Sequence, residues 1–192
     1  MPTPIIVTNR LVLRSALPQD FEPLFSNVFS DEQVMLHLAG KPFGRKDAQA
    51  LFDEAFDHQG TGRKIGVLVE RSGDAVVGYA GLKPFHALGE EDLELGFVLK
   101  SAAWGKGYAT EIGYGQLEYG FRTTDKPRLL AQVRPANSGS ANALRKIGMT
   151  FIKEYERPGM GVWQIYAYQR DAKPFIELTS PDKPGQAGHV KR

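Results

Sequence analysis

The sequence contains no cysteine, no long apolar run and no excess of charge of one sign. Without cysteine, disulfides, thiolate metal ligands and cysteine nucleophiles are excluded. No apolar run approaches the roughly 20 residues that span a bilayer. The first ten residues also lack the basic and apolar regions of a secretory signal. These absences favour a cytoplasmic protein that does not enter a membrane.

The charges are balanced and dispersed. The chain has 24 Lys and Arg residues against 22 Asp and Glu residues, and its only basic ending is Lys191-Arg192. Nucleic-acid-binding proteins usually gather positive charge in one patch, so a nucleic-acid partner is not expected. The four histidines lie far apart and show no metal-ligand spacing, so no metal site is expected either.

A length of 192 residues suits one domain with a single core. We expect that domain to cover residues 1–175. Residues 176–192 are predicted to form a disordered tail, because proline, glycine and charge replace any periodic pattern there.

The hydrophobic patterns alternate between the two-residue period of strands and the longer period of helices. They predict, in order, a strand at Arg10–Arg14, a helix from Pro18, a helix at Arg45–His58, strands at Ile65–Glu70, Ala75–Leu82 and Leu93–Leu99, a helix ending near Phe121, a strand at Leu129–Val133, a helix at Ser138–Ile147 and a hairpin of Phe151–Glu156 with Val162–Tyr168. Strands that first form a meander and later alternate with helices predict an α/β fold, with a mixed sheet and helices on both faces.

A glycine-rich loop, Trp104 to Thr110, follows an apolar strand and opens a helix. Backbone N–H groups at a helix start have no partner inside the helix, and the helix dipole attracts negative charge there. Gly105 and Gly107 permit positive φ and close approach of a phosphate, and Lys106 can add a positive charge. An ordinary strand-to-helix turn explains the same glycines. The P-loop and dinucleotide fingerprints do not fit, because Gly107 follows Lys106 and the third glycine is missing.

The segment ELGFVLKSAAWGKGYATE, residues 94–111, resembles motif A of the GNAT acetyltransferases, in particular the branch of ribosomal-protein N-terminal acetyltransferases. Gly107 and Ala109 match the family pattern, with Trp104 in place of its Gln or Arg. Downstream, residues 137–149 resemble the family's second motif in the right order and context. The resemblance covers about residues 8–170. It implies a mostly antiparallel, twisted sheet with a splayed central pair of parallel strands.

The resemblance implies acetyl-CoA as the acyl donor and an amine as the acceptor. The pantetheine arm would lie between the Leu93 and Leu129 strands, where splaying leaves backbone groups unpaired. The implied coenzyme contacts are Phe97, Val98, Leu99, Trp104, Gly105, Lys106, Gly107, Tyr108, Ala109, Thr110, Asn137 and Ser140. Capping of the following helix explains Asn137 or Ser138 as well. The identity of the acceptor amine and the oligomeric state, including a homodimer, stay open.

Glu94 is the candidate general base. It shares one face of its strand with Gly96 and Val98, and it is the only carboxylate beside the splayed position. Attack by an amine needs a base that works near neutral pH, and burial raises the pKa of a carboxylate. An ordinary ion pair is the alternative explanation for Glu94. Glu111 also matches the family, but its place in the first turn of a helix is explained by the helix dipole.

The leaving thiolate needs a proton, and many family members supply it from a Tyr seven residues after the motif Asn. This sequence has Leu144 there, which leaves Ser140 to bind the thiolate or relay a proton from water. The resemblance assigns the Val98 N–H to polarising the thioester carbonyl. Because the usual proton-donating Tyr is missing, a non-catalytic acyl-CoA-binding module is an alternative.

The first two helices and the closing hairpin are the family's variable region and are expected to meet the acceptor. Candidates by position are Phe21, Phe25, Phe29, His37, Phe43, Met160 and Trp163. Aromatic residues at helical spacing are also typical of a core.

Overall fold

The computed structural model describes residues 1–86 and 88–171. In these ranges eight strands form one sheet: β1 (Pro4–Val7), β2 (Leu11–Arg14), β3 (Gly66–Glu70), β4 (Val76–Phe85), β5 (Asp92–Leu99), β6 (Arg128–Val133), β7 (Thr150–Arg157) and β8 (Gly161–Gln169). The α-helices there are α1 (Phe21–Leu24), α2 (Glu32–Leu36), α3 (Arg45–Ala55), α4 (Tyr108–Thr123) and α5 (Ser138–Lys146). The predicted domain end at residue 175 and the predicted tail lie outside the described residues.

The strand order is β1-β2-β3-β4-β5-β6-β8-β7, and of these neighbouring pairs only β5 and β6 run parallel. The predicted mixed sheet, mostly antiparallel with one central parallel pair, is confirmed. The β3–β4 and β7–β8 hairpins also form as the sequence predicts.

Helices cover both faces of the sheet, as predicted. On one face α1 and α3 pack on β3 and β4, through a cluster that contains Phe29, Phe52 and Tyr79. On the other face α4 and α5 bury Ile112, Leu117 and Leu144 against the sheet, in two clusters. Among the described residues, the first face near β6 and β8 holds a small apolar cluster around Leu130 and Ile165.

The structure differs from the predicted elements at the start of the chain. Pro4–Val7 forms an edge strand that its short apolar run, without alternation, did not indicate. The helix predicted from Pro18 consists of a 3-10 turn, one α-helical turn and a π-helical segment ending at Phe29. A further short helix, α2, follows and is capped by the Asp31 side chain, which accepts from the N–H groups of Gln33 and Val34.

β5 and β6 are paired only where Glu94 faces Leu130, and they separate toward the carboxyl end of β5. Gln116 of α4 is fully buried beside this point. Its Nε2 donates to the carbonyls of Gly81 and Gly96, at 2.9 and 3.1 Å, and so ties α4 to both β4 and β5. The splayed pair that the resemblance implies is therefore present, and α4 is anchored next to it.

Candidate active site

A cavity of about 520 Å³ lies in the opening between β5 and β6. Eleven of the twelve predicted coenzyme contacts line it, and Lys106 is the exception. They are Phe97, Val98, Leu99, Trp104, Gly105, Gly107, Tyr108, Ala109, Thr110, Asn137 and Ser140. The structure therefore brings residues 97–110 together with residues 137–140, which are distant in the sequence.

The glycine loop adopts the backbone conformation that its sequence predicts. Gly105 has φ of 74° and Gly107 has φ of 79°, both in the left-handed region that favours glycine. Gly107 is the N-cap of the 16-residue α4 and offers no side-chain cap. The free N–H groups of the first turn and the helix dipole make this end of the cavity an anion site.

Arg10 reaches this loop from the β1–β2 turn, which the sequence gave no reason to expect. Its Nη1 donates to the carbonyl of Lys106 at 2.8 Å. Its Nη2 lies 3.4 Å from where a Cβ on Gly107 would stand. The Arg10 guanidinium also lies over the ring of Tyr108, 4.7 Å from the centroid. Arg10 thus places a positive charge beside the anion site, although neither Arg10 nor Lys106 lines the cavity itself.

Glu111 holds Arg10 in place. Its Oε2 accepts from Arg10 Nε at 2.7 Å, and its Oε1 accepts from the Arg10 N–H at 2.8 Å and the Thr8 hydroxyl at 2.6 Å. Burial alone would raise the pKa of Glu111, but these hydrogen bonds and the Arg10 charge outweigh it and lower the pKa below its usual value. Glu111 therefore has specific partners in addition to its place near the helix dipole.

The splayed part of β5 is partly satisfied within the chain. The Trp104 indole Nε1 donates to the Leu99 carbonyl at 2.9 Å. This carbonyl therefore has a partner, although splaying of the strands was expected to leave backbone groups here unpaired. On the side facing β6, Phe97 and Val98 lie beyond the single paired position. The edge that a pantetheine amide can complete is thus shortened to the residues just after Glu94.

The second motif sits at the start of α5. The Asn137 side chain accepts from the Ser140 N–H at 3.0 Å and caps the helix, so the capping interpretation is confirmed. Asn137 and Ser140 both line the cavity as well. Leu144, where a Tyr is often found, is buried at 2% exposure in the core. It brings no proton donor to the site.

Glu94 is buried and belongs to a chain of side chains on one face of the sheet. Its Oε2 accepts from Gln132 Nε2 at 2.6 Å and lies 3.4 Å from Lys83 Nζ. Gln132 Oε1 in turn accepts from the Tyr155 hydroxyl at 2.7 Å. Gln132 lines the cavity, whereas Glu94 stands one residue behind it. Glu94 therefore forms the ordinary ion pair that was the alternative explanation, with Lys83. Its second contact, with Gln132, connects it to the cavity.

Burial and nearby charges on this face of the sheet change the pKa of the Tyr155 hydroxyl. Burial raises its pKa above the usual value, the charge of Arg157 opposes that rise, and the charge of Glu94 adds to it. The hydroxyl therefore stays protonated and donates to Gln132, which fixes the amide so that its NH2 group faces Glu94.

The predicted acceptor-side residues separate into two groups. His37 and Trp163 line the cavity, and their neighbours there include Val34 and Leu38. The others do not line it, and Phe21, Phe25, Phe29 and Phe43 belong to or pack against the core cluster of the first face. For these four the alternative of ordinary core packing is confirmed.

Sequence reasoning missed Gln132, Arg134, Tyr155 and Arg157. A single Gln on a strand, or a Tyr and an Arg on an edge hairpin, carries no local signal of function. Alternation along β6 and β7 assigns these residues to one face, but only the pairing of the strands brings the two sets together.

Other classes of site are not found in the part of the chain that the structure describes. No group of three or more His, Cys, Asp or Glu side chains there could hold a metal ion. None of the helices in residues 1–86 and 88–171 combines the length and apolar character needed to cross a bilayer.

Comparison with known proteins gives concordant matches. A family model for the acetyltransferase (GNAT) domain matches residues 10–150. The uncharacterized N-acetyltransferase YnaD of Bacillus subtilis (strain 168) is 29% identical over 166 residues, which cover 85% of this chain and 94% of YnaD.

Two solved structures show the same fold. A GNAT-family acetyltransferase from Bacillus anthracis superposes with a TM-score of 0.73 at 24% identity, over 88% of this chain and 98% of its own. RimL, a ribosomal alpha-N-protein acetyltransferase in complex with coenzyme A, superposes with a TM-score of 0.65 at 14% identity, over 88% and 98% of the two chains.

Proposed function

Because the chain belongs to the GNAT family of acetyltransferases, we propose that it transfers the acetyl group of acetyl-CoA to a primary amine. One observation carries the proposal. The opening between β5 and β6 is lined at one end by the glycine loop and at the other by Gln132, which contacts the buried Glu94. An anion site and a glutamine that contacts the candidate base thus line one cavity.

The residues present fit coenzyme A. The N-terminus of α4, with Gly105 and Gly107 at positive φ, suits the pyrophosphate, and Arg10 is close enough to add charge. The open edge of β5 suits the amides of the pantetheine arm, and the cavity continues to Asn137 and Ser140. When bound, the coenzyme supplies an acetyl thioester, which an amine can attack directly.

We assign the general base to Glu94, acting directly or through a water. Both contacts of its carboxylate use Oε2, and no hydrogen bond joins Oε1 to another of the described residues. Lys83 Nζ lies 3.4 Å from this Oε2 and forms an ion pair with the carboxylate on that side. Gln132 fixes the orientation of the carboxylate and separates it from the cavity by one amide group.

Stabilisation of the developing charges is assigned to two groups. The backbone N–H of Val98 is the proposed polariser of the thioester carbonyl; Val98 pairs with Tyr79 of β4 and lies beyond the single position of β5 that pairs with β6. The Ser140 hydroxyl is the candidate partner of the leaving thiolate, since Leu144 is apolar and buried. A hydroxyl of high intrinsic pKa is a weak acid, so water is expected to supply much of the proton.

The acceptor is proposed to be a protein N-terminal α-amine or a small-molecule amine. RimL, with which this chain shares its fold, acts on protein α-amines, and this supports the first class. Fold similarity does not fix a substrate, so both classes belong in the test.

The test is a thiol-release assay with acetyl-CoA and a panel of amines, made up of peptides with free N-termini, amino acids, polyamines and aminoglycosides. Release that depends on both the amine and the protein, with mass spectrometry of an N-acetylated product, is the expected result. Binding of acetyl-CoA without turnover of any amine would contradict the proposal.

A coenzyme-binding sensor is the second candidate. It is favoured by one observation, the buried Leu144 in place of a proton-donating Tyr. In the same assay a sensor would show saturable acetyl-CoA binding and a raised Tm, but no thiol release.

A further inference from the structure

Two guanidinium groups flank one indole ring at the acceptor end of the cavity. The Cζ of Arg134 lies 5.0 Å from the Trp163 ring centroid, and the Cζ of Arg157 lies 5.4 Å from the Trp163 ring centroid. Arg134 and Trp163 both line the cavity. These three residues form what we call the arginine–tryptophan cluster.

The cluster carries two positive charges without a carboxylate. Within residues 1–86 and 88–171, no Asp or Glu oxygen lies within salt-bridge distance of Arg134 or Arg157. Arg14, by contrast, makes a two-pronged contact with Asp20 at 2.7 and 2.8 Å. Two like charges beside one ring repel each other, so an anion placed between them would be bound favourably.

The cluster also contains two buried N–H donors without an acceptor. Arg134 Nε and Trp163 Nε1 are both buried and donate to no atom of the described residues. Trp163 as a whole is only 5% exposed. Stacking of Arg on Trp explains the ring contacts, but it leaves these in-plane N–H groups without acceptors, which is unfavourable for buried donors. A ligand carboxylate that displaced the side chains covering these two N–H groups would supply acceptors for them.

The cluster shares the face of Glu94 rather than that of the coenzyme loop. Arg134 directly follows the end of β6, two residues after Gln132, and Trp163 lies opposite Tyr155 in the β7–β8 pairing. Gln132 and Tyr155 belong to the chain that leads to Glu94. Helix α4, whose N-terminus is the anion site for the coenzyme, packs on the opposite face. The charges are therefore placed for the acceptor and not for the coenzyme phosphates.

We infer that the acceptor amine carries a carboxylate, and that the arginine–tryptophan cluster binds it. A carboxylate presents two oxygens, which can accept from Arg134 Nε and Trp163 Nε1 while Arg157 adds charge. The inference rests on the proposed acetyl transfer, since it names the class of amine. Two sources supply the same chemistry: a free α-amino acid, and a peptide with an acidic side chain close to its N-terminus.

The test uses matched pairs of amines that differ only in the carboxylate. One arm compares α-amino acids with their primary amides, and the other compares peptide amides with Glu or Gln at the second position. Thiol release gives kcat/KM, and calorimetric titration of the CoA-saturated protein gives affinity without turnover. In at least one arm the carboxylate member is expected to be preferred about 10-fold or more, in kcat/KM and in affinity.

The variants Arg134→Gln and Arg157→Gln connect the preference to the cluster. Each should raise KM for the carboxylate-bearing amine about 10-fold and reduce the preference below about threefold, with acetyl-CoA affinity unchanged. Arg122→Gln is the matched control, because Arg122 is an exposed arginine of α4 whose ion pair with Glu118 is 4.0 Å long. Trp163→Phe keeps an aromatic ring and removes only the Nε1 donor. If Arg134→Gln does not fold, Trp163→Phe tests the same inference.

The outcomes separate this inference from the proposed function. Turnover with equal preference for both members of every pair would support acetyl transfer and overturn the inference. Absence of turnover with every amine, while the carboxylate member still binds through Arg134, would count against acetyl transfer and support the inference. Binding of neither member of any pair would overturn the inference.

Discussion

The proposed coenzyme side and the proposed acceptor side of the cavity obtain their chemistry from different parts of the polypeptide. The coenzyme side is mainly backbone: two glycines at positive φ and the first N–H groups of α4, within the seven residues Trp104–Thr110. The acceptor side consists of side chains, and its members Glu94, Gln132, Tyr155 and Trp163 come from β5, β6, β7 and β8. A site made of backbone groups is determined by one short segment of the sequence, whereas a site made of side chains is assembled by strand pairing.

The same difference predicts how each side tolerates substitution. A backbone site fails when the chain cannot keep its conformation, so a change at one glycine affects binding as a whole. A side-chain site loses one contact at a time, so rate, pH profile and specificity change separately. The four predictions below test this contrast, from the largest expected effect to the smallest.

Gly107→Asp is expected to remove acetyl-CoA binding, with affinity at least about 100-fold lower. A side chain at φ of 79° costs about 1–2 kcal/mol, and its negative charge opposes the pyrophosphate. Calorimetry and the loss of the coenzyme-induced rise in Tm measure the effect. Gly73→Asp is the control, since Gly73 lies in the β3–β4 turn with open space around it. Undiminished affinity in Gly107→Asp would remove the glycine loop from the site.

Glu94→Gln is expected to lower kcat/KM about 100-fold at neutral pH while acetyl-CoA affinity holds, because shape is kept and basicity is lost. The loss in kcat/KM should become smaller at higher pH, because more of the amine is then already deprotonated and needs no base. The matched control is Glu154→Gln, an exposed strand carboxylate that accepts from Gln164 just as Glu94 accepts from Gln132. Near-normal rates of Glu94→Gln from pH 6 to 9 would make Glu94 a structural residue.

Ser140→Ala is expected to lower kcat about 3- to 30-fold, which is less than the roughly 100- to 10,000-fold effect of a dedicated acid or base. The Asn137 cap uses the Ser140 backbone N–H, so the substitution should leave α5 intact. Steady-state kinetics measure the effect, with acetyl-CoA affinity as the internal control. A loss beyond a thousandfold at unchanged affinity would identify Ser140 as the principal acid.

Glu111→Gln is expected to lower Tm by about 3–8 °C at pH 7, because charged hydrogen bonds to Arg10 and Thr8 are weakened. The pKa of Glu111 is lowered on folding, so its stabilisation is present above the unfolded pKa of about 4.3 and is lost as pH falls through the folded value. The two proteins should therefore melt alike at low pH.

Glu118→Gln serves as the control for that measurement. Glu118 lies on the same helix, is largely exposed and pairs with Arg122 only at 4.0 Å, so its replacement should change Tm by less than about 1 °C. A difference between wild type and Glu111→Gln that persists unchanged below pH 4 would contradict the assigned role of the ionised carboxylate.

The sequence by itself determined the sheet from β2 onward, the positions of α3, α4 and α5, and the conformation of the glycine loop. The alternating and helical patterns are long in these regions, and positive φ at Gly105 and Gly107 is a local property of the chain. The short edge strand β1 and the short helix α2 were missed, because neither is long enough to show a period.

Only the tertiary structure decided how the site is completed. Arg10 reaches Lys106 across 96 residues of sequence, and Gln132 reaches Glu94 across 38. The direction of each side chain along a strand follows from alternation, but its partners depend on which strands pair and in which register. Whether Arg134 has a carboxylate neighbour is likewise a property of the whole sheet. Local chemistry therefore indicated the proposed coenzyme site, and long-range strand pairing brought together the side chains of the proposed acceptor site.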